Sequence, residues 1–192
     1  MERIDASEAR DHIEMINRIL AESQQRLCAG GEYFVAWGVG SAYITVLFQL
    51  ANNKIVSDSA LWSVPVVLVL CALFSIYRGR ATRAALARSS LVQREFFNVL
   101  WLTIGLAFVS NIAVYRIFSG IASAAIWSVA EAIVLLYIGM HGNRRAQIAG
   151  VLVVVSLIAA NFVSRDIAGY VLGAGMLAGY AGFGISELLA RE

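Results

Sequence analysis

One acid sits where an acid is costly. Glu131 is the only Asp, Glu, Lys or Arg between Arg116 and Arg144, in the middle of an otherwise uncharged stretch. At the centre of a bilayer an ionised carboxylate costs roughly 2.5 to 3.5 kcal/mol on insertion scales, so such a group faces a bundle interior and finds partners. Loss of water also favours the neutral acid over the carboxylate. Two chemistries follow: a proton- or cation-linked site, or a neutral Glu that joins two helices by one hydrogen bond. Glu131 lies about 12 residues, or roughly 18 Å, inside its span. The same depth falls near Tyr180, Thr103, Cys71 and Ser41 in other spans, and Ser128 is one turn away on the same helix. No Lys, Arg or His lies at that level, so a neutral Glu131 with Ser128, Thr103 and Tyr180 is the expected intramembrane polar site. Asn111 and Asn161 lie nearer the outer side and read as interhelical hydrogen bonds.

Other chemistry finds no residues. The two histidines, His12 and His141, fall at different depths, so neither a metal site nor a paired haem ligation is expected, and no cofactor. There is no nucleophile elbow, HExxH, Walker motif or pair of intramembrane carboxylates, so no catalytic residue is assigned and the chain does not read as an enzyme. Cys28 and Cys71 fall at different depths and should not pair. In a reducing compartment they stay thiols, and Cys28 is either an acylation site or an ordinary small residue.

The elements that must hold Glu131 are set by charge spacing. Counting uncharged residues, about 21 separate Glu32 from Lys54, 19 separate Asp58 from Arg78, 20 separate Glu95 from Arg116, 19 separate Arg145 from Arg165 and 20 separate Asp166 from Glu187. A helix rising about 1.5 Å per residue needs roughly 20 apolar residues to cross hydrocarbon. With the Glu131 stretch, that predicts six spans, near 33–52, 60–77, 96–116, 119–140, 146–164 and 167–187. The composition agrees, with 59% hydrophobic and 15% charged residues where a soluble domain carries about 25% charged. The expected fold is all-α, an integral membrane six-helix bundle over 33–188 with an N-terminal amphipathic cytoplasmic helix in 1–32 and a short tail at 189–192. The charged first 30 residues lack the apolar core of a cleavable signal, so the first span directs insertion.

Arginine orients the bundle. Arg3, Arg10, Arg18 and Arg26 precede span one, Arg78, Arg80, Arg83, Arg88 and Arg94 follow span two, Arg144 and Arg145 follow span four, and Arg191 follows span six. The other side has only Lys54, Arg116 and Arg165. The positive-inside rule places both termini in the cytoplasm, with the inner membrane of a bacterium as the expected site.

The cytoplasmic parts are patterned. Ala6, Ala9, Ile13, Ile16, Leu20, Ser23 and Leu27 make a heptad seam, opened by an Asp5/Glu8 capping box. Residues 1–32 hold seven acids against four Arg, the reverse of a lipid-surface anchor. This helix is expected to dock on its own bundle, to self-associate or to capture a partner through Ile13, Ile16 and Leu20. The Arg-rich hairpin at 78–95, with Arg80, Arg83 and Arg88, either docks on that acidic helix or meets anionic headgroups. No nucleic-acid partner is expected.

Small residues mark the packing. Gly169, Gly173, Gly175 and Gly179 form two GxxxG motifs in span six, which is expected to lie centrally or at a homo-oligomer contact. Pro65 either kinks span two or begins its regular part. Trp37, Trp62 and Trp101 fit interfacial belts. Ala60-Leu61-Trp62-Ser63-Val64 is echoed by Ala125-Ile126-Trp127-Ser128-Val129, a faint repeat of about 65 residues consistent with duplicated hairpins.

The run Ile13-Glu14-Met15-Ile16, then Ser23, Gly31, Tyr33-Phe34 and Trp37-Gly38, resembles small uncharacterised bacterial multi-pass membrane proteins. These have an amphipathic N-terminal helix leading through a Trp-Gly step into the first span. The resemblance covers about residues 10 to 45 and implies no activity and no functional residue. Two readings stand: a regulatory or scaffolding membrane component acting through its cytoplasmic helices, which the patterned helix favours, and a small proton- or cation-linked transporter or channel subunit using Glu131. Reporter fusions test the topology that both share. Fusions at residues 1 and 192 should report the cytoplasm and an insertion between residues 54 and 58 the opposite compartment; opposite reports from the two ends would overturn the six-span reading.

Overall fold

The computed structural model describes residues 30–190 apart from 87–90 and 115–119, together with residues 14, 15 and 17. The described residues are all-helical, in six helices. They are α1 (Gly31–Asn52), α2 (Ser63–Leu86), α3 (Leu91–Val114), α4 (Ile121–Met140), α5 (Arg144–Ala160) and α6 (Arg165–Leu189). A single 3-10 turn, Asp58–Trp62, leads into α2. The predicted seam residues Ile13, Ile16 and Leu20 lie outside the described residues, as do Arg88 and the side chain of Arg83.

Four helices are long and apolar enough to cross a membrane: α1, α2 with its leading turn, α4 and α6. The apolar part of α3, Asn98–Ala113, is shorter, and the 17 residues of α5 rise only about 25 Å. The helix boundaries follow local chemistry. Gly120 and Gly142 have φ of 65° and 93°, a region open to glycine without steric penalty, and they sit at the start of α4 and in the α4–α5 turn. Asn143 caps α5 by accepting the Ala146 N–H at 3.1 Å. Pro65 occupies the first turn of α2, where its missing N–H leaves no helical bond unmade, so it begins the regular part of the span.

The centre of the bundle is α6. Its two GxxxG motifs are offset by six residues, about 240° around the helix, and so face different ways. Gly169 and Gly173 meet α1: a Cβ on them would stand 2.6 Å from Gln49 Oε1 and 2.9 Å from Val46 Cγ2. Gly175 and Gly179 meet α5, at Ser156 and at Val153, whose Cγ2 would lie 2.5 Å from a Cβ on Gly179. Further along the antiparallel α1–α6 seam, Gly38 lies against Ala181 and Gly31 against Gly184. The α4–α5 hairpin closes the same way, Gly139 on Gln147 and Gly150 on Leu136. Around these contacts Leu135, Ile138, Val153, Leu172 and Met176 are fully buried.

The periphery differs. α2 packs chiefly on α1, and α3 on α4, and both leave rows of large apolar side chains uncovered: Val66, Val69, Leu70 and Leu73 on one, Leu102, Leu106, Val109 and Ile112 on the other. Contiguous faces of this kind call for hydrocarbon as solvent. Trp62 and Trp101, 76% and 69% exposed, suit the amphipathic boundary of such a layer. The glycine contacts make a matched test. Gly179→Val should lower stability by about 1–3 kcal/mol or more through overpacking, read as an earlier thermal transition in detergent. Gly105→Ala, where an added Cβ meets nothing within 4 Å, should leave the transition in place.

Candidate intramembrane site

Glu131 lies on α4 at 7% exposure, inside the bundle rather than toward lipid. Two helices bring groups to it. From α1 comes Ser41, whose hydroxyl lies near enough to interact with the carboxyl. From α6 comes Tyr180, close enough to couple electrostatically. The other carboxyl oxygen, Oε2, is buried without a hydrogen-bond partner. A buried oxygen left unpaired costs about 1–3 kcal/mol even when neutral, and more when charged.

Tyr180 reaches this point through an irregular backbone. Residues Leu177–Ala181 form a π turn inside α6, and such turns re-aim side chains at the expense of regular hydrogen bonding. Tyr180 then packs on Phe34 with ring centroids 5.0 Å apart, and Phe34 on Phe183 at 4.9 Å. The aromatic group joins α1 to α6.

The predicted partners divide. Tyr180 is brought to Glu131 and so is Ser41. Ser128 is fully buried, yet its hydroxyl donates to Ala124 O at 3.0 Å on its own helix, toward the N-terminus and away from Glu131. Thr103 shares the level of Glu131 across the antiparallel α3–α4 pair, whose register is marked by Asn111–Ser123 and Phe96–Tyr137. No hydrogen bond joins Thr103 to Glu131 among the described residues. Cys71 is at the right depth on the wrong side of α1: its Sγ donates to Ala36 O at 3.5 Å and stands against Gly40. Gly40 and Ser41 are adjacent and so about 100° apart, one facing α2 and the other α4. Asn111 makes the expected interhelical bond, accepting from Ser123 on α4. Asn161 does not; it donates back to Leu157 O at 2.8 Å and is exposed.

Three polar knots were not foreseen from the sequence. Gln49, fully buried, straddles the first turn of α6: its Oε1 accepts Gly169 N–H at 2.7 Å and its Nε2 donates to Arg165 O at 3.1 Å. Asn53 extends the clamp to Asp166 O at 2.8 Å. At the opposite end Glu187, read as a boundary charge, is buried and accepts from Asn143 at 3.1 Å, while Arg145 holds Ser186 O at 2.9 Å. Arg78 ion-pairs with Glu32, joining the hairpin to the start of α1. Pairs of chain-distant polar residues at equal depth were the available signal, but depth alone does not say which side of a helix a residue occupies.

Among the described residues no group of three or more His, Cys, Asp or Glu is placed to hold a metal ion. No family model matches the chain, and no curated protein or solved structure is significantly similar to it. The clamp is open to measurement. Gln49→Leu should cost about 1–3 kcal/mol, because two backbone groups of α6 lose a buried partner, and hydrogen exchange should rise first at residues 165–169. Uniform loss of protection along the chain would contradict a local clamp.

Proposed function

We propose that the chain is a six-span protein of the bacterial cytoplasmic membrane, both termini inside, in which Glu131 binds and releases a proton or small cation. The class this describes is a small proton- or cation-linked transporter or channel subunit. One observation carries the reading: the single ionisable side chain deep in the apolar region is buried where three helices meet, with one carboxyl oxygen unpartnered. A Glu kept only as a helix–helix bond gains nothing from an empty oxygen, whereas an ion site needs one free in one of its states. The π turn that delivers Tyr180 supports the same reading, since such turns recur at working sites. The Arg asymmetry across the loops supports the orientation, and the Trp37-Gly38 step supports a kinship with small bacterial multi-pass proteins.

A second reading has its own support. Glu32, the last acid of the N-terminal segment, pairs with Arg78 of the hairpin, so a regulatory or scaffolding protein that takes a partner on its cytoplasmic helices has a physical link between those parts. The two readings separate in one pair of experiments. In proteoliposomes, Glu131→Gln should abolish pH-driven ion flux while leaving the fold intact, because Gln keeps the volume and a polar group facing Ser41. Wild-type vesicles that carry no flux, combined with a native-membrane pull-down partner lost on deletion of residues 1–28, would favour the regulatory reading instead.

A further inference from the structure

Coordination narrows the ion at Glu131. A metal cation that leaves water must be met by a shell of oxygens, about six for hard cations, as pore carbonyls do when they replace a hydration shell. Among the described residues the side-chain oxygens that interact with the Glu131 carboxyl are two, the hydroxyls of Ser41 and Tyr180. Ser128 directs its hydroxyl the other way, to Ala124 O. Thr45, a fully buried hydroxyl of α1, is engaged with Met176 Sδ at 3.3 Å. The π turn does not add a carbonyl at its start, since Leu177 O accepts the Gly182 N–H. With no second carboxylate at this level, a bound metal ion would be under-coordinated and its charge balanced by one group alone.

A proton makes no such demand. It needs one oxygen, and Oε2 is that oxygen. We infer that the ion served by this site is the proton, carried on Glu131, with Ser41 and Tyr180 as positioning residues and no site for sodium or potassium. Binding converts the carboxylate and one proton drawn from water into a neutral carboxylic acid, forming one O–H bond; release reverses it. The groups facing Glu131 are consistent with a single titrating site: α6 presents Tyr180, α1 presents Ser41, α3 carries no Asp, Glu, Lys, Arg or His between Glu95 and Arg116, and α5 none between Arg145 and Arg165. This assignment rests on Glu131 being the working ion site.

A hydrophobic carbodiimide reports the neutral acid, because it adds to a protonated carboxyl within lipid. Full-length protein in liposomes is labelled across a pH series in choline, sodium or potassium chloride, and adduct at Glu131 is read by mass spectrometry. The expected result is labelling that falls about tenfold per pH unit above its midpoint, identical in the three salts, with the midpoint moved by Tyr180→Phe. Protection by sodium or potassium at fixed pH would overturn the proton assignment while keeping Glu131 as an ion site. No adduct at any pH, with flux unchanged in Glu131→Gln, would remove both.

Discussion

Close approach of backbones along α6 is the constraint on which the bundle depends. Within hydrocarbon there is no hydrophobic drive between helices, so dispersion contacts at short range must hold them. Gly169 and Gly173 give α1 that approach on one face, and Gly175 and Gly179 give it to α5 on the other. Gly38 and Gly31 return the favour from α1. The helix is thereby fixed in rotation as well as in distance, since both faces must be satisfied together. That rotation, together with the π turn at Leu177–Ala181, sets where Tyr180 stands.

The polar groups form a second level that relies on the first. Gln49 and Asn53 bind one end of α6, and Asn143, Arg145 and Glu187 bind the other. Each end therefore has its backbone or charge satisfied near a boundary of the apolar region. Among the described residues the one buried side-chain polar atom left without a hydrogen-bond partner is in the middle, Glu131 Oε2. A fold that satisfies its polar atoms at both ends but not at its centre marks that centre as the place where a chemical change can be accommodated.

Much of the architecture was legible because lipid imposes length. Gaps of about 20 uncharged residues located five of the six described helices and the longer stretch around Glu131 located α4, since charge at mid-depth is costly. The GxxxG spacing likewise foretold a central α6. Depth was readable as well, and it placed Tyr180, Ser41 and Thr103 level with Glu131. Azimuth was not. Cys71 had the right depth, but α2 packs on the far side of α1. Ser128 had the right helix, but a serine inside an apolar helix finds the carbonyl four residues back before it finds a neighbour. Gln49 escaped notice because an uncharged amide does not interrupt a hydropathy pattern, although an unpaired amide in hydrocarbon is expensive. The faint 65-residue echo also fails to mirror environment: Trp62 is 76% exposed, while its counterpart Trp127 is half-buried.

The bond between Gln49 and the first turn of α6 joins residues 120 positions apart. During synthesis α1 emerges long before α6, and until then the Gln49 amide has only its local bond to Asn53 Oδ1 at 2.7 Å, with Oε1 waiting for the Gly169 N–H. Closure of the α1–α6 seam therefore waits on a segment made about 120 residues later. A chain cut short before that segment would present a polar side chain and a glycine-lined furrow to lipid, the kind of defect that membrane quality control detects.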